Sequence, residues 1–144
     1  MRMRKWVSVA IAAGLFLGGV GGAVADSWHT IPNVHTDGVE FKGGSYVFEP
    51  KSRNHGGFHF KGSLRDVSPN DGHNVYVEVK VEAYDWNRFK GTQKKYVYLD
   101  RVVWDGAAQF TSEARLRVCR DRGSLRPDNC VPTFHYLRQG NGES

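Results

Sequence analysis

Residues 73–85 read HNVYVEVKVEAYD, and this stretch decides the fold class. Valine or alanine occupies every second position from Val75 to Ala83, and tyrosine, glutamate or lysine occupies the positions between them. A period of two over this length is typical of an antiparallel strand with one buried face. We therefore predict a strand here, with Tyr76 and Tyr84 on its outward face.

The same alternation recurs further along the chain. Residues 94–101 place Tyr96 and Tyr98 outward, and residues 113–121 place arginines outward. Weaker strand candidates, bounded by glycine- and proline-containing turns, are residues 38–42, 45–49, 57–65, 107–111 and 131–137. The chain after residue 25 lacks a sustained 3.6-residue apolar period, so helix should be nearly absent. Seven or eight short strands predict an all-β fold, an antiparallel β-sandwich of immunoglobulin-like size, with a small β-barrel as the alternative.

The first residues carry an export signature. Three basic residues precede an apolar, glycine-containing run that ends in Ala23-Val24-Ala25, the small-residue pattern of a cleavage site. We predict a Sec-type signal peptide over residues 1–25 and a secreted, extracellular protein that begins at Asp26. No later apolar run approaches the roughly 20 residues of a membrane helix. We expect a loose N-terminal segment at 26–37, a single sandwich domain at 38–138 and a flexible tail at 139–144.

Cys119 and Cys130 both lie in the exported part of the chain. An even number of cysteines in a secreted chain favours a disulfide. The residues between them, 120–129, form what we call the stapled loop, which contains three arginines. A bridged loop is pre-organised for contact, and Arg120 or Arg122 is the expected anchor if the loop enters a protease cleft.

Patterns that support catalysis are missing. The sequence contains no G-x-S-x-G nucleophile elbow. Glu78 and Glu82 would stand about 13 Å apart along one strand, too far for a glycosidase pair. We expect them instead to face Arg115 and Arg117 on a neighbouring strand. No catalytic residue is predicted.

Metal and cofactor motifs are equally weak. His55 and His59 have the H-x-x-x-H spacing, but Gly-Gly-Phe between them favours an extended chain in which the rings diverge. An oxygen-rich stretch lacks the order of a calcium-binding hand and is typical of turns; it contains Asp66, Asn70, Asp71 and Asn74. Glycine-rich phosphate-binding motifs are also missing. We predict neither a metal nor a cofactor.

The charge balance argues against a nucleic-acid partner. The full sequence has 20 Lys and Arg against 15 Asp and Glu. Three of the basic residues lie in the predicted signal peptide, so the mature chain keeps a net charge of only +2. Nucleic-acid binding requires a clear positive excess on one surface.

Aromatic residues are the most prominent candidates for binding. The outward tyrosines and two tryptophans at turn ends are predicted to form an aromatic platform for a ligand: Tyr76, Tyr84, Tyr96, Tyr98, Trp86 and Trp104. Flat rings stack on sugar faces and on partner side chains. The alternative is that these tyrosines merely favour half-exposed strand positions, or that another layer covers them.

Residues 116–123, LRVCRDRG, and 126–130, RPDNC, carry a resemblance to known proteins. Over about residues 75–130 the chain resembles a loose group of small exported actinobacterial proteins with a signal peptide, a β-sandwich and a two-cysteine strand and loop near the C-terminus. The resemblance implies the compartment and the fold. The group has no agreed catalytic residues that could be carried over to this chain.

These observations favour a secreted, non-enzymatic binding protein that engages an extracellular protein or a cell-envelope glycan through the aromatic platform or the stapled loop. A protease-inhibitor-like protein that uses the arginines of the stapled loop is the second hypothesis. A small secreted hydrolase is the third.

Overall fold

The computed structural model describes residues 27–67, 73–124 and 126–139. The predicted signal peptide and residues 140–144 of the predicted tail lie outside the described residues. The described strands are β1 (His29–Ile31), β2 (Val34–Thr36), β3 (Val39–Phe48), β4 (Phe58–Asp66), β5 (Val75–Val81), β6 (Asn87–Lys90), β7 (Tyr96–Val103), β8 (Glu113–Arg120), β9 (Asn129–Cys130) and β10 (Phe134–Leu137).

The strands form two antiparallel sheets. Sheet A has the order β1-β3-β4-β7, with β2 also paired to β3, and sheet B has the order β10-β8-β5-β6, with β9 also paired to β8. The sheets do not close into a barrel. The predicted β-sandwich is confirmed, and the barrel alternative is wrong.

The core lies between the sheets, where the predicted alternation places it. All four valines of β5 are fully buried. Phenylalanines of β3 and β4 face them from sheet A, and each buried ring contributes about 1.5–3 kcal/mol. Gly62 lies beneath the ring of Phe41, which a Cβ atom at this position would overlap. This packing explains why a glycine occupies the middle of a strand.

The segment predicted to be loose, residues 26–37, instead contains β1 and β2, so this expectation is wrong. Both strands pair with β3, and Ile31 is fully buried in the core. The sequence shows no period here because each strand is only three residues long.

Other differences from the predicted strands are local. The candidates 38–42 and 45–49 form one strand, β3, whose register shifts between Lys42 and Ser45. Residues 107–111 contain no strand, and β6 was not predicted. Within the described residues, no helix is long and apolar enough to span a membrane.

The predicted disulfide is confirmed. Cys119 of β8 and Cys130 of β9 are opposite each other in the sheet and are bonded, with their Cα atoms 4.0 Å apart. The bridge therefore holds the stapled loop against sheet B.

Candidate functional site

The predicted aromatic platform is divided among three surfaces, so the expectation of one shared face is wrong. The tyrosines of β7 are exposed on the outer face of sheet A, at 50% and 61%, whereas β5 belongs to sheet B. The outer faces of the two sheets point in opposite directions, which separates the outward tyrosines of the two strands. The three groups are Tyr96 and Tyr98 on sheet A, Tyr76 and Trp86 on sheet B, and Tyr84 and Trp104 at the edge between the sheets.

Tyr76 is buried, with 3% of its surface exposed, which corrects the expectation of an accessible ring. Its hydroxyl donates a hydrogen bond to Asp128 of the stapled loop, and the Arg88 guanidinium lies 3.7 Å from the ring centre. Burial and the Asp128 hydrogen bond both raise the pKa of Tyr76. Burial raises the pKa of Asp128, but hydrogen bonds from Tyr76 and the Arg122 amide, together with the charges of Arg88 and Arg117, leave this pKa below its ordinary value. The stapled loop thus covers this part of sheet B.

The outer face of sheet B is a paired charge network. Glu78, only 5% exposed, accepts hydrogen bonds from Arg117 Nη2 at 2.7 Å and from Arg88 Nε at 2.9 Å. Arg117 also lies 4.1 Å from the ring centre of Trp86. The predicted pairing of Glu78 with Arg117 is confirmed. Glu82, by contrast, accepts hydrogen bonds from the backbone amides of residues 112 and 113, not from Arg115.

The two arginines predicted as protease anchors are both partly covered. The Arg120 side chain is 12% exposed, and its Nη1 lies 2.9 Å from Asp37 Oδ2. Arg122 is half-buried, and its backbone amide donates to Asp128 Oδ1. An anchor must extend into a partner's pocket, whereas the Arg120 side chain is paired with Asp37 in this structure.

Tyr84 and Trp104 are predicted binding residues that lie on different strand ends and line one groove. Both line an open groove of about 440 Å³, which we call the aromatic groove. Tyr84 is 54% exposed and Trp104 is 41% exposed. Among the described residues, the lining consists of Tyr84, Asn87, Phe89, Val102, Val103, Trp104 and Gly106.

The aromatic groove forms where the edge strand of sheet B is shorter than its neighbours. β6 begins at Asn87, which pairs with Val79, whereas β5 continues to Val81 and β7 of sheet A to Val103. The turn after β5 therefore leaves an opening between the two edge strands. Its apolar floor is Phe89, whose ring packs against Phe60 at 5.5 Å.

The ring of Trp104 packs against a strained turn. The ring of His55 stacks on Trp104 with 4.0 Å between the ring centres and an angle of 11°. Asn54 and His55 both have positive φ angles, 49° and 59°, which non-glycine residues adopt at an energetic cost. Arg138 Nη2 donates to the carbonyls of Glu49 and Gly56, each at 2.9 Å, and stabilises the turn. One wall of the aromatic groove is thus rigidly placed.

A buried carboxylate lies beside the same turn. Glu49 is 5% exposed and accepts hydrogen bonds from Arg53 Nε at 3.0 Å, Asn54 Nδ2 at 2.8 Å and His59 Nδ1 at 2.7 Å. Burial raises the pKa of Glu49, but these hydrogen bonds together lower it below its ordinary value. His59 Nε2 lies 2.6 Å from Asp100 Oδ1, so the ring links two carboxylates.

This cluster was not predicted. The two histidines have the H-x-x-x-H spacing, but one stacks on a tryptophan and the other joins Glu49, which directly follows β3, to Asp100 of β7. Only the strand register shows that β3 and β7 flank His59.

A second pocket opens on the outer face of sheet A next to this cluster. Trp28, Val47, Glu49 and Arg53 line a cavity of about 230 Å³, which we call the Trp28 pocket. Trp28 is 44% exposed, and Lys61 Nζ lies 4.2 Å from its ring centre. The pocket combines an accessible aromatic ring with the Arg53 cation and the Glu49 carboxylate, and Lys61 lies beside it over the ring.

The described residues contain no group of three or more His, Cys, Asp or Glu side chains arranged to hold a metal ion. Of the stretch considered for calcium, Asn70 and Asp71 lie outside the described residues, and the Asn74 side chain binds the carbonyl of Gly91 and the amide of Val75. Asn74 therefore has the role of a turn residue.

Comparison with known protein families, curated proteins and solved structures finds no match to this chain. The two pockets are therefore defined by their own chemistry: exposed aromatic rings with an amide in the aromatic groove, and an aromatic ring with a cation and a carboxylate in the Trp28 pocket.

Proposed function

We propose that this protein is an exported, non-enzymatic binding protein that holds an extracellular glycan chain in the aromatic groove. One observation carries the proposal: Tyr84 and Trp104 are both about half exposed and face the same groove as the Asn87 amide. Aromatic rings bind the apolar faces of sugars, and an amide donates to and accepts from sugar hydroxyls. None of the described residues that line the groove carries a charge, which suits sugar hydroxyls.

The size of the groove supports a glycan over a protein partner. Its volume, about 440 Å³, lies within the range of sites for small ligands. A stable protein interface would need about 800 Å² on each side. The exposed aromatic residues are divided between the outer face of sheet A and the groove, so they do not form one such patch.

Export is part of the same proposal. The disulfide between Cys119 and Cys130 is typical of oxidising compartments outside the cytosol. It agrees with the signal peptide that the sequence predicts for residues 1–25.

The aromatic groove is a better candidate than the stapled loop. Arg120 forms an ion pair with Asp37, and the loop packs on sheet B through Asp128. These contacts indicate that the stapled loop stabilises the fold. Arg126 is exposed, but it precedes Pro127, and trypsin-like proteases cleave such a bond poorly.

A glycan array probed with the mature protein tests the proposal. Trp104→Ala and Tyr84→Ala are expected to abolish or greatly weaken binding to the glycans that the wild type selects, because each removes a stacking surface. Tyr98→Ala is the matched control, since Tyr98 is 61% exposed on the outer face of sheet A. The proposal fails if the wild type binds no glycan, or if Tyr98→Ala weakens binding and the two groove variants do not.

A further inference from the structure

The aromatic groove and the Trp28 pocket are connected through one row of paired residues in sheet A. Val102 lines the groove, Val47 lines the Trp28 pocket, and His59 pairs with both across the sheet. Two strand spacings, about 10 Å, therefore separate the two valines. The Trp28 ring adjoins the His59 ring at 4.8 Å.

One turn also serves both sites. Arg53, just before the strained turn, lines the Trp28 pocket, and His55, within it, stacks on Trp104 of the groove. Asn54 between them is fixed to the buried Glu49 carboxylate at 2.8 Å. The positive φ angles of Asn54 and His55 are thus stabilised by contacts to both sites.

The aromatic groove and the Trp28 pocket differ in the charge of their surroundings. The described lining of the groove is uncharged, whereas Arg53 lines the Trp28 pocket and Lys61 lies next to the pocket, over the Trp28 ring. The nearby carboxylates of Glu49 and Asp100 both contact His59. Arg53 uses Nε for Glu49, yet 62% of its side chain is exposed. A guanidinium fork held in this way is suited to binding an oxyanion.

We propose that the Trp28 pocket is a second subsite of the same ligand and that it binds an acidic sugar, whose ring stacks on Trp28 and whose carboxylate is bound by Arg53 and Lys61. The proposal rests on the proposed function, because the glycan must already occupy the aromatic groove. It narrows the ligand to polysaccharides that carry uronate residues.

Calorimetric titration with an oligogalacturonate and with its fully methyl-esterified form tests the subsite. The two probes share the sugar backbone and differ in charge. The wild type should bind the acidic form about three- to tenfold more tightly at low salt, corresponding to one exposed charge-assisted contact. Added salt should reduce this ratio.

Variants test whether the preference for the acidic form comes from the Trp28 pocket. Arg53→Gln and, separately, Lys61→Gln should bring the ratio of the two affinities toward one. Arg126→Gln, which removes an equal charge from an exposed position of the stapled loop, should keep the wild-type ratio. The melting temperature of each variant shows whether a loss of binding is caused by unfolding.

Equal affinities in the wild type, or a preference that survives both pocket variants, would overturn the subsite. A wild type that binds neither probe would overturn it as well. The glycan array tests the aromatic groove independently of the subsite. If Trp104→Ala loses binding to a glycan that the wild type selects, the proposed function stands whatever result the galacturonate probes give.

Discussion

Removing the disulfide should weaken the fold without changing it. The bridge between Cys119 and Cys130 closes a segment with a sequence separation of 11. The chain-entropy account assigns about 3 kcal/mol to a loop of this length, because the bridge restricts the unfolded chain. That amount is a large share of the roughly 5–15 kcal/mol by which a domain is stable.

The rest of the stapled loop keeps its contacts when the bridge is lost. Asp128 accepts a hydrogen bond from Tyr76, and Asn129 Nδ2 donates to Thr36 Oγ1 at 3.2 Å. Cys119→Ala plus Cys130→Ala should therefore lower the Tm on the order of 10 °C for a domain of this size. Calorimetry measures the shift, and circular dichroism should retain the β spectrum.

A matched control and a binding assay complete this test. Ser124→Ala changes an exposed residue of the same loop and should keep the wild-type Tm. No residue of the bridge or loop is among the described lining of the aromatic groove, so glycan affinity well below the Tm should be unchanged. An unchanged Tm in the double variant would refute the stability reasoning. Lost affinity in a folded double variant would identify the loop as the binding element.

Other predictions concern sheet B, the loop and the core. Glu78→Gln should cost about 1.5–3 kcal/mol in urea unfolding, since two arginines lose a charged acceptor; wild-type stability would contradict this network. Asp128 has a lowered pKa, so its contribution is present above the ordinary aspartate pKa and lost as the pH falls below the folded value. The Tm difference between wild type and Asp128→Asn should accordingly stay constant from neutral pH down to the ordinary aspartate pKa and shrink below it, and a difference that stays constant in acid would refute this. Gly62→Ala should destabilise by about 1–3 kcal/mol because its Cβ overlaps Phe41, whereas Gly106→Ala, with nothing within 4 Å, should not; equal effects would contradict the packing.

The sequence predicts the sandwich well because its long strands alternate clearly. The period in β5 places four valines in the core, and the same period in β7 correctly places Tyr96 and Tyr98 outward. The alternation identifies which face of a strand a residue occupies. It does not identify the sheet to which the strand belongs, and this is why the tyrosines of β5 and β7 were wrongly expected to share a surface.

Residues far apart in sequence determine which outward side chains are covered. Tyr76 is buried by Asp128, 52 positions away, and by Arg88 across the neighbouring strand. The period of β5 contains no information on either contact. The aromatic groove depends in the same way on where β6 ends relative to β7, and β6, with four residues, is too short to show a period.

The Trp28 pocket could not be predicted for a related reason. Trp28 lies in the segment expected to be loose, and its neighbours Val47 and Arg53 come from later parts of the chain. Short strands such as β1 form because they pair with a long neighbour, β3, and bury Ile31. Their sequences alone are too short to indicate this pairing.

The most direct test of the central claim is to follow the indole N–H signals of ¹⁵N-labelled mature protein during titration with the glycan that the array selects. The signal of Trp104 should shift and saturate, because its ring forms one wall of the occupied groove. Trp86, which lies against Arg117 on the outer face of sheet B, should shift much less. A saturating shift of Trp86 with Trp104 unmoved would contradict a glycan-binding site in the aromatic groove.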